Sequence, residues 1–219
     1  MRVEGVSWHS GRIYIPDPVL DDDASFLRFL ENLQEETRIA VRDVLTANPD
    51  HLVMGMSAET FWGGLSGAGA FRQKMKDLSG LDVTTGANAC KAALEIHDAK
   101  RIGVITPYQP VVDNQVREFF EELGYEVVAM KGLKCKSATS ISEVGPEQIR
   151  GAFHAVDSPH VDALVQVGTN LPAVRVAAEL EHELGKPVLA INAATVWHAY
   201  RTNGIDDKIA GFGSLLAEH

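Results

Sequence analysis

The chain has 219 residues, with 20 Lys and Arg against 30 Asp and Glu, giving a net charge of −10. That length holds one large domain or two small lobes with a real core. The acidic balance argues against nucleic acid and anionic membrane surfaces as partners, but not against a small acidic substrate, because a site's field is local. Two cysteines, Cys90 and Cys135, make neither a disulfide framework nor a metal-ligand spacing, which predicts a reducing, cytoplasmic setting. No apolar run reaches the length of a membrane span, and the N-terminus lacks a signal-peptide pattern.

Two short strand-like runs are predicted first, over 3–8 and 12–15, split by Ser10-Gly11. Asp21-Asp22-Asp23 then leads into a helix to about Thr46, with Phe26, Phe29, Leu30, Leu33, Val41 and Val44 at helical spacing. A strand over 52–56 follows. The glycine-rich stretch 63–69, after Phe61-Trp62, reads as a mobile loop over a site or as a tight packing corner. Its Gly67-Ala68-Gly69 is discounted as a dinucleotide loop, because it does not join strand to helix in a βαβ unit. A helix over 71–78, a strand over 81–84 and a helix over 88–99 come next, with Cys90 as a packed small residue of the last. Strands are predicted over 101–106, 125–130, 163–167 and 188–191. Helices are predicted between them, stopped by Gly124, Gly185 and Asn203-Gly204. Residues 131–142 read as a polar loop carrying Cys135. Strands this far apart, separated by helices, imply parallel sheet with right-handed crossovers.

Two stretches share one grammar. Residues 51–60 run from an apolar strand to Gly55 and then Ser57, a helix-capping type; residues 162–172 run from Ala163, Leu164 and Val165 to Gly168, then Thr169 and Asn170, with Pro172 suited to a first helical turn. Each turn would sit at the carboxyl end of a strand, where open α/β sheets bind ligands, and would present hydroxyls, an amide and backbone N–H groups that favour an anion. Two such turns facing each other would clasp a small anionic ligand between two lobes.

At Gly55-Met56-Ser57, Thr106-Pro107-Tyr108, Val167-Gly168-Thr169-Asn170, Gly185-Lys186-Pro187-Val188 and Asn192-Ala193-Ala194-Thr195-Val196-Trp197, the chain resembles the aspartate/glutamate racemase superfamily. It is most similar to its arylmalonate decarboxylase and maleate cis–trans isomerase branch. The resemblance covers nearly the whole chain and is strongest from Arg101 onward. It implies two pseudo-symmetric parallel-sheet α/β lobes, 1–84 with 192–219 and 85–191, and a site between them that needs neither cofactor nor metal. Family members carry a catalytic cysteine at one or both turns; the equivalent positions here are Gly55 and Gly168. Two-thiol racemisation and thiolate addition to a double bond are therefore not available. Nothing before His9 matches the loop with which family chains open, so either the chain starts late or its first lobe is short of a strand.

What the resemblance retains is an oxyanion cradle that holds a carboxylate and stabilises an enediolate. Ser57, Tyr108 and Thr169 would supply its donors. Gly55, Met56, Gly168, Asn170 and Asn114 would complete the binding site. Glu59 is the candidate proton donor, set against its ordinary role as a carboxylate at a helix start; His198 and His9 are the other candidates. The reading that follows is a cofactor-independent lyase or isomerase of a malonate-like or short dicarboxylic acid. Its rival is a carboxylate-binding protein that has lost turnover with its thiols, and hydrolytic or other carbon–carbon cleavage on the same cradle stays open. So does assembly into a homo-oligomer. A proton donor in the cleft is what separates enzyme from binder.

Overall fold

The computed structural model describes residues 1–16, 18–20 and 22–219. Asp21 of the predicted acidic run lies outside them. In chain order the elements are α1 (Asp23–Val44), β1 (Leu52–Val53), α2 (Ala58–Phe61), α3 (Gly64–Ser79), β2 (Val83–Thr84), α4 (Gly86–Ile96), β3 (Arg101–Thr106) and α5 (Pro110–Glu122). Then come β4 (Glu126–Gly132), α6 (Ala138–Ser142), α7 (Pro146–Val156), β5 (Ala163–Gln166), α8 (Val174–Leu184), β6 (Val188–Ala190), α9 (Ile191–Thr202) and α10 (Ser214–Glu218).

Every strand pair is parallel. The larger sheet runs β4-β3-β5-β6 and the smaller is the pair β1-β2. The centre of the larger sheet is buried on both faces: Ile102, Val104, Ile105, Ala163, Leu164 and Val165 are fully enclosed. That burial is why these strands read as continuous apolar runs rather than as alternation. Gly103 belongs to the same packing, because a Cβ there would stand 2.4 Å from the Val156 carbonyl. The helices cover the sheet in the usual way of α/β folds. Phe61 of α2 meets Phe119 and Phe120 of α5 in an aromatic cluster, with the Phe61 and Phe119 centroids 5.0 Å apart and near-perpendicular. Each such enclosed ring contributes roughly 1.5–3 kcal/mol by burial alone.

Several expectations need correction. Residues 3–8 and 12–15 form no strand; they run as irregular chain. Several of their large apolar residues, Trp8, Tyr14 and Ile15, stay exposed, and between the runs Gly11 lies so close to α1 that a Cβ would stand 2.9 Å from the Ala40 carbonyl. The glycine-rich stretch is not a mobile loop but the start of α3, whose sixteen residues absorb the predicted helix over 71–78. Its glycines make the tight corner: a Cβ on Gly67 would overlap the Trp62 carbonyl. The polar loop after β4 contains the short helix α6, capped reciprocally by Ser137 and Ser140. Finally, α8 starts at Val174, with Ala173 before it as cap residue, so Thr169, Asn170 and Pro172 belong to a turn and not to a first helical turn.

Candidate active site between two facing turns

The chain leaves β1 into Gly55-Met56-Ser57 and leaves β5 into Gly168-Thr169-Asn170, and the two turns are hydrogen-bonded to each other. The Gly168 N–H donates to the Ser57 hydroxyl at 3.2 Å, and the Thr169 hydroxyl donates to the Gly55 carbonyl at 3.1 Å. Ser57 occupies the cap position of α2 but makes no capping bond; its side chain reaches across to the other sheet instead. Both turns line one cavity of about 320 Å³, with Glu59 and Tyr108 beside them.

Several carbonyls of the turns are used, and most of their amides are not. The Gly168 carbonyl accepts from the Gln166 amide at 2.7 Å and from the Leu171 N–H. The Thr169 carbonyl accepts from the Asn192 amide of α9 at 2.8 Å, and the Ser57 carbonyl accepts from the N–H and hydroxyl of Thr60. Among the described residues, the backbone N–H groups of Met56, Ser57, Thr169 and Asn170 have no hydrogen-bond partner. Paired acceptors and free donors favour a ligand that can only accept, which a carboxylate is.

Tyr108 is placed from below. Thr106 at the end of β3 donates its hydroxyl to the Asp113 carboxylate in a short contact, and its oxygen accepts the Tyr108 N–H at 3.1 Å. Burial pushes the Asp113 carboxyl up to about 6, against the Thr106 hydrogen bond. The Tyr108 ring is buried and stands edge-on to Phe26, centroids 5.9 Å apart. Burial holds its phenol protonated, and the Ser57 hydroxyl lies within hydrogen-bonding reach of it.

Glu59 lines the same cavity. Its Oε1 is buried with no hydrogen-bond partner among the described residues, and burial raises the carboxyl from 4.5 to about 7. A carboxyl in that state is protonated near neutrality and can both give and take a proton. Apolar side chains of α1, Phe26, Phe29 and Leu33, close the cavity together with Ile13, Ile15 and Ile141.

The remaining predicted site residues divide. Met56 lines the cavity with the turn; Asn170 lines it too, but its side-chain amide donates to the Ala138 carbonyl at 2.6 Å. Asn114 does not belong here: it is exposed on α5 and does not line the cavity. His198 does not reach the cleft either. Asn88, whose side-chain oxygen accepts from the Thr85 N–H at 2.6 Å, turns its NH₂ toward His198 Nε2 at 3.0 Å, so that nitrogen must accept. His198 is therefore a neutral structural group, pushed down to about 4 chiefly by burial. His9 lines a larger, adjoining cavity of about 820 Å³ that shares Ile13 and Gly55 with the first but holds neither Ser57 nor Gly168. Sequence reasoning missed Arg12, which lines the site cavity, and the supporting pair Thr106 and Asp113. The Thr-Pro-Tyr run with an acid six residues beyond its proline was the only available signal for that pair.

Neither cysteine lines the cavity. Cys90 is enclosed in α4 with its thiol pushed up to about 12 by burial.

The family model for arylmalonate decarboxylase matches residues 37–216. The maleate isomerase of Pseudomonas putida is 29% identical over 139 residues, 62% of this chain and 54% of that protein, so the chain spans about half the length of this relative. The arylmalonate decarboxylase of Bordetella bronchiseptica is 26% identical over 172 residues, 76% of this chain and 70% of that protein. In fold, the chain is similar to the Nocardia farcinica maleate cis–trans isomerase, in a cysteine-to-serine variant with a covalently bound succinylcysteine intermediate. There the TM-score is 0.89 at 22% identity, over 99% of this chain and 89% of that one. With the model matching most of its length, the chain belongs to the arylmalonate decarboxylase family.

Proposed function

We propose that the protein is a cofactor-independent lyase of a malonate-like acid, working through an enediolate held between the two turns, with Glu59 as its proton donor. The observation that carries this reading is the Glu59 carboxyl: unpartnered at Oε1, raised to about 7, and in the same cavity as the cradle. A protein that only binds a carboxylate has no use for a buried acid poised to change charge near neutrality, and such groups cluster at functional sites.

The chemistry balances with the residues present. The retained carboxylate accepts hydrogen bonds from the Tyr108 phenol and the free amides of the turns. The bond to the other carboxylate breaks and carbon dioxide leaves. The electron pair stays on the α-carbon and spreads into the retained carboxylate as an enediolate, which the preorganised donors stabilise more than the ground state. The Glu59 O–H then gives its proton to the α-carbon, and the resulting carboxylate is reprotonated from water. Cis–trans isomerisation by covalent addition is disfavoured here, because no thiol lines the cavity. We assign the lobes as 1–84 with 192–219 and 85–191, so that the cavity lies between them.

The test is incubation with 2-substituted malonates and with maleate, followed by proton NMR in D₂O. Release of carbon dioxide with one deuterium in the product supports the proposal. Tight carboxylate binding without turnover of any of them favours the binding-protein reading instead.

A further inference from the structure

We propose that Arg12, on a segment strapped across the mouth of the cavity, binds a second acid group of the ligand and makes the site selective for dianions. This rests on the cradle reading above and adds to it the residue that takes the second acid group.

Trp8, Gly11 and Leu20 anchor the chain on either side of Arg12. At one end the Trp8 indole N–H donates to the Tyr200 hydroxyl of α9 at 3.2 Å, with the rings edge-to-face. Gly11 then presses on the α1 backbone, so close that any side chain there would displace Ala40 or Val44. At the other end the Leu20 N–H donates to the Lys136 carbonyl at 2.6 Å, and the Leu20 carbonyl accepts from the Gln109 amide at 2.7 Å. Between these anchors Arg12, Ile13 and Ile15 line the cavity. A glycine packed against a helix immediately before Arg12 fixes where that side chain starts.

Among the described residues, Arg12 and Glu59 are the charged side chains that line the cavity, and burial raises the Glu59 carboxyl to about 7, so that much of its charge is lost there near neutrality. Among the described residues Arg12 has no ion pair and no hydrogen bond. An unpaired guanidinium at the mouth of an anion cradle is unusual in a chain that carries −10 overall. That net charge repels a dianion at long range, so a dianionic ligand needs a local cation to enter. The planar fork of donors suits a carboxylate in bidentate contact. The free amides and Tyr108 would hold one acid group, Arg12 the other, and the apolar wall from α1 the substituent between them.

The experiment compares the parent with Arg12→Gln and Arg12→Lys. Each is titrated calorimetrically with methylmalonate as the dianion and with propanoate as the monoanion, at low and at moderate salt. Arg12 is exposed, so the variants should fold, which circular dichroism checks. In Arg12→Gln, methylmalonate should bind about 10- to 100-fold more weakly while propanoate is unchanged, and the salt dependence of dianion binding should shrink. Arg12→Lys should restore part of the loss, because the charge returns without the fork. Equal methylmalonate binding by the parent and Arg12→Gln overturns the proposal while leaving the cradle intact. Equal weakening of both acids overturns it as well, since Arg12 would then not discriminate. Failure of the parent to bind either acid would instead remove the cradle.

Discussion

The two turns look alike in sequence and differ in what they can carry. Gly55 has ordinary negative φ and open space where a Cβ would stand, whereas Gly168 has φ of +107° and a Cβ there would stand 2.5 Å from Pro107 Cδ. The first turn leads into a helix bearing an acid, Glu59; the second offers only backbone, with its carbonyls tied to Gln166 and Asn192. The two turns thus share free backbone donors, but only the first is followed by an acid that lines the cavity. On the proposed reading, an enediolate would meet its proton from the Glu59 side.

Removing the acid should break that asymmetry most. Glu59→Gln keeps the side chain's shape and should lower turnover about 10²- to 10⁴-fold, measured as carbon dioxide release, with carboxylate affinity retained. The parent's activity should fall as pH rises through about 7, because the donor form is lost there. Stability carries the same sign. The carboxyl's folded value, about 7, lies above its ordinary 4.5. Its contribution is therefore fully favourable below 4.5 and is lost progressively between 4.5 and 7. Ionising it in place costs roughly 3 kcal/mol. Glu59→Gln should accordingly be more stable than the parent at pH 8 and similar at pH 4, which urea titrations at the two pH values would show.

Tyr108→Phe tests the shared cradle rather than the acid. It leaves the ring edge-on to Phe26 and removes the one donor contributed from β3. Loss of one oxyanion donor should lower the rate about 100- to 1,000-fold, with stability down by only about 1 kcal/mol for the lost contact with Ser57. Unchanged kinetics in this variant would take Tyr108 out of the site.

The glycines give a direct contrast. Gly168→Cys should destabilise by roughly 2 to 4 kcal/mol, from forced left-handed backbone and overlap with the Pro107 ring. Gly55→Cys should fold like the parent. Urea midpoints at constant slope would report this. Equal stability of the two variants would mean that the turns are equivalent after all.

Much of the architecture was legible because buried parallel strands announce themselves as apolar runs. The strands β3, β5 and β6 fall within a residue of where their Val, Ile and Leu predict them. The echo of Gly55-Met56-Ser57 in Gly168-Thr169-Asn170 placed the cleft. What failed had a common cause: local pattern cannot name the partner. Residues 12–15 alternate like a strand but lie along α1, and nothing in their own sequence distinguishes a helix surface from a neighbouring strand. Thr169 and Ser57 are helix-capping types whose side chains bond across the cleft, a choice set by the opposing turn more than a hundred residues away. Asn114, expected in the binding site, is exposed on α5 and does not line the cavity. Arg12 carried no signal, because a single arginine in a polar segment is ordinary until the fold brings it to a cavity.

The smallest expected effect is from thiol reagents. Cys90 is fully enclosed and its thiol is pushed up to about 12, so a maleimide can reach neither the sulfur nor its thiolate without local unfolding. Cys135 is half-buried with its thiol also pushed up, chiefly by burial. Its N–H donates to the Pro107 carbonyl at 2.9 Å, so it borders the Tyr108 turn without lining the cavity. N-ethylmaleimide at pH 7 should therefore leave turnover essentially unchanged over the time in which a small free thiol reacts completely. Slow labelling of Cys135 should disturb the Tyr108 turn only slightly. The same treatment of Gly55→Cys should abolish activity, since that substitution places a thiol in the cavity where the first turn has room for it. Mass spectrometry assigns the label in each case. Inactivation of the parent that tracks labelling of Cys135 and is prevented by methylmalonate would show a thiol working at the site, and the division of labour between Glu59 and the two turns would have to be redrawn.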